Sequence, residues 1–249
     1  EDVNIIFGAM YDDSNTDDVF TLTGTGDDSN PGTAEYPLRN IAKAMSVAQN
    51  GDIIRIDVGT YNEHVLLNKD VTLEGANSTP SSAGQSIING GGSGIVITIM
   101  ASNATVDGFT IKGSGSNPLA DGGIVMAGVT GCLVQNNKVI DNSSAGIGLQ
   151  GANNNSILNN EVTNNYVAAI GLIASSGNTI KGNTASSTNL VYIPASPGVS
   201  EQFLGYGIVL DENSGFSSTG NTIIGNTISL NTSDGVYFGE GCHNNNLGW

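Results

Sequence analysis

Beyond residue 60 this chain carries four basic side chains, Lys69, Lys112, Lys138 and Lys181, two histidines, His64 and His243, and two cysteines, Cys132 and Cys242. General acid–base chemistry needs such a group within hydrogen-bond reach of the substrate. Asp107, Asp121, Asp141 and Asp211 stand far apart along the chain, with no aspartates clustered on adjacent coils and no clustered histidines. No catalytic residue is therefore expected. Near the N-terminus Asp13, Asn15 and Asp17 place oxygen ligands at alternate positions, as a calcium loop does, but Asp18 stands where that loop needs glycine and no glutamate follows at the twelfth position. Ca²⁺ is the one cofactor these residues could hold, and a solvated acidic loop is the competing reading. Asp27, Asp28 and Asn30 form a similar cluster. Asn77, Asn103, Asn142, Asn154 and Asn231 head Asn-x-Ser/Thr triplets, candidate attachment points for glycans.

The elements that must position these residues announce themselves by repetition. Gly123-Ile-Val-Met, Gly146-Ile-Gly-Leu and Ala169-Ile-Gly-Leu recur every 23 residues, and Asn137, Asn160 and Asn183 keep the same beat. The pattern resumes at Gly207-Ile-Val-Leu, with Asn226, and at Gly235-Val-Tyr-Phe. A fixed period of this length is the mark of a solenoid, whose repeats bury their apolar faces only by stacking on neighbours. Each unit holds short β-branched runs between Gly, Asn and Ser, which are strands and turns with no room for a helix. The expected fold is all-β, a right-handed parallel β-helix with three short strands per coil. Asn137, Asn160, Asn183 and Asn226 should then stack as a ladder at an inward turn. Lys138 and Glu161, also 23 apart, should pair on adjacent coils.

Composition narrows the partners. The 249 residues carry a formal charge of −16, from 23 acidic and 7 basic side chains. That balance argues against nucleic acid and anionic membrane surfaces, both of which call for a basic patch. No apolar run approaches the roughly 18 residues a membrane span requires. A chain opening on Glu1, poor in lysine and rich in hydroxyl and amide side chains, is expected to be a mature extracellular protein.

Residues 1–26 are expected to form an N-terminal extension, with an apolar stretch at 3–7, an acidic run at 12–18 and one or two strands. The β-helix is expected over 27–249. Leu38, Ile41, Ala42, Met45 and either Ala48 or Val47 follow helical spacing, which predicts an amphipathic helix over about 38–50 that covers the N-terminal end of the solenoid. An insert over about 190–206 carries Tyr192, Phe203 and Tyr206.

Asp28-Ser-Asn-Pro-Gly-Thr, Gln49-Asn-Gly-Asp-Ile, Val58-Gly-Thr-Tyr-Asn-Glu and Val71-Thr-Leu-Glu-Gly resemble the N-terminal part of pectate-lyase-like right-handed β-helix proteins. The later coils resemble NosD-type repeats of secreted and surface proteins. The resemblance runs from about Asp27 to the C-terminus and implies the fold; its motifs are turns and caps, and the superfamily hosts lyases, hydrolases, esterases, epimerases, adhesins and structural proteins. Lyases of the superfamily resemble one another in using Arg or Lys as base, often with calcium. Here Lys138 and Lys181 are 43 residues apart, which is no multiple of 23, and so share no register position.

If coils stack in sequence order, Cys132 and Cys242 lie four steps apart, about 19 Å at the standard strand spacing. A disulfide needs Cα atoms within about 7 Å. The two are therefore either links between molecules or shielded thiols. Strand addition through Val3, Ile5 and Phe7, or end-to-end stacking at the rung near Trp249, would join copies into an oligomer or polymer. The expected function is a secreted, non-catalytic structural protein that self-assembles at the cell surface. The alternative is a carbohydrate-active β-helix, either a glycan-binding module or a lyase-like enzyme.

Overall fold

A computed structural model of the chain describes residues 19–76, 86–186, 188, 189, 191–193 and 202–248. Val3, Ile5, Phe7, Asp13, Asn15, Asp17, Asn77 and Trp249 lie outside the described residues, and so do the expectations placed on them.

Short strands alternate with tight corners and stack into three parallel sheets, an all-β right-handed parallel β-helix. Among the described residues sheet A has nine strands, from Val19–Leu22 to Asn246–Gly248. Sheet B has seven, from Gly59–Tyr61 to Thr227–Ser229, and sheet C seven, from Val65–Leu67 to Val236–Phe238. Each coil visits A, B and C in turn. Register is in phase from coil to coil: Val139 pairs with Val162, Val162 with Ala185, and Ala185 with Ile228. The inward columns are therefore apolar and fully buried, as with Ile147, Ile170 and Ile208, or Leu149, Leu172 and Leu210.

The corners follow one rule. A residue in the left-handed backbone region is followed by one whose side chain points into the solenoid. At the corner from A to B the pairs are Asn136–137, Asn159–160, Gly182–Asn183 and Gly225–Asn226. From B to C they are Asp141–Asn142, Asn164–165 and Leu230–Asn231; from C to A, Gly131–Cys132, Asn154–155, Gly177–Asn178, Gly220–Asn221 and Asn244–245. The leading residue of every pair has φ between 54° and 72°. Only Gly, Asn and Asp enter this region at little cost, so the abundance of Gly and Asn is the price of three corners per coil. Leu230 is the exception among them.

Two boundaries differ from expectation. Val19–Leu22, expected within an N-terminal extension, pairs in parallel with Ile53–Ile56 and is the first described rung of sheet A. The helix spans Ile41–Val47 and is shorter than 38–50, because Leu38 makes a bridge to Leu22 and is extended. Asn40 supplies no side-chain cap. Instead Glu63 accepts from the amides of Ile41 and Ala42, both at 2.9 Å, and Lys69 Nζ donates to the carbonyls of Met45 at 2.7 Å and Ala48 at 2.5 Å. The helix buries Ile41, Ala44 and Met45 against the N-terminal end of the core. The insert contains an antiparallel pair, Val191–Ile193 with Gln202–Leu204, placed between Thr184–Ser186 of sheet B and Tyr206–Asp211 of sheet C.

Candidate functional site

The densest chemistry in the molecule lies inside its corners. Asn137 donates from its backbone amide (3.0 Å) and from Nδ2 (3.1 Å) to Asn160 Oδ1, and its Nδ2 also donates to the Val106 carbonyl at 2.9 Å. Asn160 repeats this with Asn183, and Asn183 with Asn226. The ladder expected at these four positions is present. Two further columns stand beside it. Asn142 donates to Asn165, and at the third corner Asn155, Asn178, Asn221 and Asn245 form an unbroken series. Their signal was in the sequence, since Asn142 and Asn165, and Asn155 and Asn178, are each 23 apart. Among the described residues no buried side-chain nitrogen or oxygen lacks a partner. Each such bond contributes about 0.5–1.5 kcal/mol, whereas leaving a buried group unmet costs about 1–3 kcal/mol.

The ladders sort the candidate glycan sites. Asn142 is fully buried, and its Nδ2 donates to the Ile140 carbonyl at 2.9 Å and to Asn165 Oδ1 at 3.0 Å, so this nitrogen is closed to a sugar and the expectation placed on it is corrected. Asn231 is half-buried, and its Nδ2 donates to the Ala185 carbonyl at 3.1 Å. Asn103 and Asn154 are exposed.

Cys132 heads the third column, its amide donating to Asn155 Oδ1 at 2.9 Å and its Sγ to the Ala101 carbonyl at 3.3 Å. It is 1% exposed, and burial pushes its thiol pKa up. A link between molecules through Cys132 would require the corner to open, which corrects that expectation. Cys242, four sheet-A steps along, is half-buried, and burial raises its thiol pKa as well. Both thiols are free.

Outside, sheet C bears a shallow groove of about 180 Å³, with Gly148 and Gly171 in its floor, Val125 and Val209 beside them, and residues 118–120 along one rim. None of its lining side chains titrates in the neutral range. Further along the same face the rings of Tyr206 and Tyr237 stack with centroids 5.1 Å apart.

Residues 57–219 and 120–247 match the family described as the right handed beta helix region. The chain belongs to the right-handed β-helix family. Over 118 residues this β-helix is 36% identical to a cell surface glycoprotein of Methanothermus fervidus, a match covering 43% of this chain and 18% of that protein. The chain thus spans less than a fifth of that relative's length. Among solved structures, a rhamnogalacturonan lyase superposes with a TM-score of 0.56 at 16% identity, covering 85% of this chain and 69% of its own. Pectate lyase Pel9A gives 0.54 at 14%, covering 85% and 70%, and the periplasmic alginate epimerase AlgG 0.55 at 15%, covering 92% and 57%. At such identities these likenesses speak for the fold alone.

Several charged groups of this β-helix help hold it together. Lys138 Nζ meets Glu161 Oε1 at 2.9 Å on adjacent coils, as their spacing predicts, and Arg55 meets Glu74 at 2.9 Å. Lys69 caps the helix. His64 is held between the Ile95 carbonyl (2.7 Å) and Ser93 Oγ (3.1 Å). Among the described residues no three His, Cys, Asp or Glu side chains are grouped to hold a metal ion, and no helix is long and apolar enough to cross a membrane.

Proposed function

We propose that this β-helix is a structural segment of a secreted cell-surface protein, without catalytic activity, that self-assembles by adding coil to coil. The observation that carries the reading is that polar and charged groups are spent on the scaffold: three Asn columns link coil to coil, Lys138 pairs with Glu161 on adjacent coils and Lys69 caps the helix. Self-assembly is supported by the in-phase register, in which successive coils present the same apolar and Asn columns, so that a coil of a second copy would meet a matching surface. The surface relative supports the placement. Negative-stain electron microscopy of concentrated protein is expected to show end-to-end rods; isolated single particles at every concentration would contradict self-assembly.

A second reading, a carbohydrate-active β-helix, is favoured by the groove on sheet C together with the stacked tyrosines. With no titratable side chain in the groove, this reading is a glycan-binding face rather than a lyase. A glycan array gives retained oligosaccharides if it holds and none if it does not.

A further inference from the structure

Position within the corner pair decides what a sequon asparagine can do. Asn142 and Asn231 occupy the inward, second place, where Nδ2 is spent on the ladder. Asn103 and Asn154 occupy the outward, left-handed first place, with φ of 63° and 55°. They share one column at the corner from C to A: Asn103 lies in register with Gly131, Gly131 with Asn154, and Asn154 with Gly177. Two coil steps, roughly 10 Å at the standard strand spacing, separate the two asparagines.

The glycines between them matter. A Cβ at Gly131 would come within 2.5 Å of Asn103 Oδ1, and one at Gly177 within 2.4 Å of Asn154 Oδ1. Each asparagine therefore rests its oxygen over a neighbour that has no side chain. Asn154 Nδ2 has no hydrogen-bond partner among the described residues, and Asn103 Nδ2 has only a long contact of 3.4 Å to Asp70. Thr105 and Ser156, the hydroxyl residues of the two triplets, are the first residues of their sheet-A strands and are half-buried.

We propose that Asn103 and Asn154 are N-glycosylated, forming a row of sugars along this one edge, and that Asn142 and Asn231 stay bare although their triplets read the same. The donor is a lipid-linked oligosaccharide activated as an anomeric phosphate or diphosphate ester and delivered by a separate transferase. The amide nitrogen forms the bond to the anomeric carbon, the carbon–oxygen bond to the phosphate breaks, the phosphate leaves with the electron pair, and the nitrogen loses one proton. A sugar at Asn142 would displace the bonds to Ile140 and Asn165, so a chain modified there before folding would not complete this corner.

The inference rests on the extracellular placement proposed above. Its test is glycopeptide mapping by mass spectrometry of protein released from the surface of the cells that make it. Glycan at both Asn103 and Asn154, with Asn142 and Asn231 bare, is the expected result. Glycan on either ladder asparagine, or a bare Asn103 or Asn154 on surface-released protein, overturns the inference and leaves the surface placement standing. Recovery only from the cytoplasm, with all four bare, overturns both. Asn154→Gly puts at this position the residue that its column already uses at Gly131 and Gly177. The variant is expected to lose one glycan mass with its melting temperature unchanged relative to deglycosylated wild type; an unchanged mass would place the sugar elsewhere.

Discussion

A Cβ placed on Gly146 would lie 2.4 Å from Val162 Cγ1 and 2.7 Å from Asn165 Nδ2. Gly123 faces Val139 and Asn142 in the same way, and Gly207 faces Ile228 and Asn231. One coil on from Gly146 the repeat carries Ala169, and there the register partner of Val162 is Ala185 and Thr188 stands where an Asn stands elsewhere. Glycine in the repeated Gly-Ile-x-Leu block is thus a packing requirement, relieved where its neighbours shrink. Gly146→Ala should cost about 1–3 kcal/mol through overpacking. Combined with Val162→Ala, the double variant should be more stable than the sum of the singles by about 0.5–3 kcal/mol, measured by urea denaturation; additive costs would contradict the argument. Asn160 sits in the middle of its column, taking two bonds from Asn137 and giving Nδ2 bonds to Val134 and Asn183. Asn160→Ala orphans buried groups on both sides and should cost at least about 1–3 kcal/mol, read in the same titration. Stability within 0.5 kcal/mol of wild type, roughly the range of a neutral surface change, would mean water replaces the ladder. The 23-residue beat made the A-to-B column readable. The other two are harder to read because Asn142 also heads a sequon and the third column begins on Cys132, not on an asparagine.

At the scale of elements, strands and corners were legible because their pattern is local, whereas the limits of the cap helix were not. Apolar spacing extends it to Leu38, but Leu38 satisfies itself by pairing with Leu22, a contact no periodicity encodes. Both caps arrive from later coils, through Glu63 and Lys69. Asp28 holds the approach to the helix. Burial pushes its pKa up, but the amides of Asn40 and Arg39 and the Asn40 side chain, all donating to its carboxylate, outweigh this and hold it below the usual value of 3.8. A carboxyl lowered by folding stabilises above its unfolded pKa, and that stabilisation is lost as pH falls through the folded value. Melting temperature should therefore fall as pH drops below about 4, and Asp28→Asn should flatten part of that fall. An unaltered acid limb in the variant would show that Asp28 does not couple to folding.

At the scale of the whole molecule, the interruptions to the 23-residue beat mark where the solenoid grows outward. From Ala169 to Gly207 is 38 residues, 15 more than one period, and the surplus is the hairpin at the corner from B to C. The register of sheets A, B and C continues across it without a shift. The insert hangs on the coil and does not build it. Architecture, order of strands and the direction of growth were thus all written in the repeat; the groove on sheet C was not, because it forms only where outward side chains of several coils are brought side by side. The account turns on whether a coil of one copy stacks on a coil of another. Sedimentation velocity of the wild-type chain and of Phe238→Asp, across protein concentrations up to about 0.1 mM or above, tests it most directly. The expected result is a sedimentation coefficient that climbs with concentration for wild type and stays at the monomer value for the variant. A wild-type chain that sediments as a monomer throughout, or a variant that associates equally well, would contradict the claim that one coil is built to receive another.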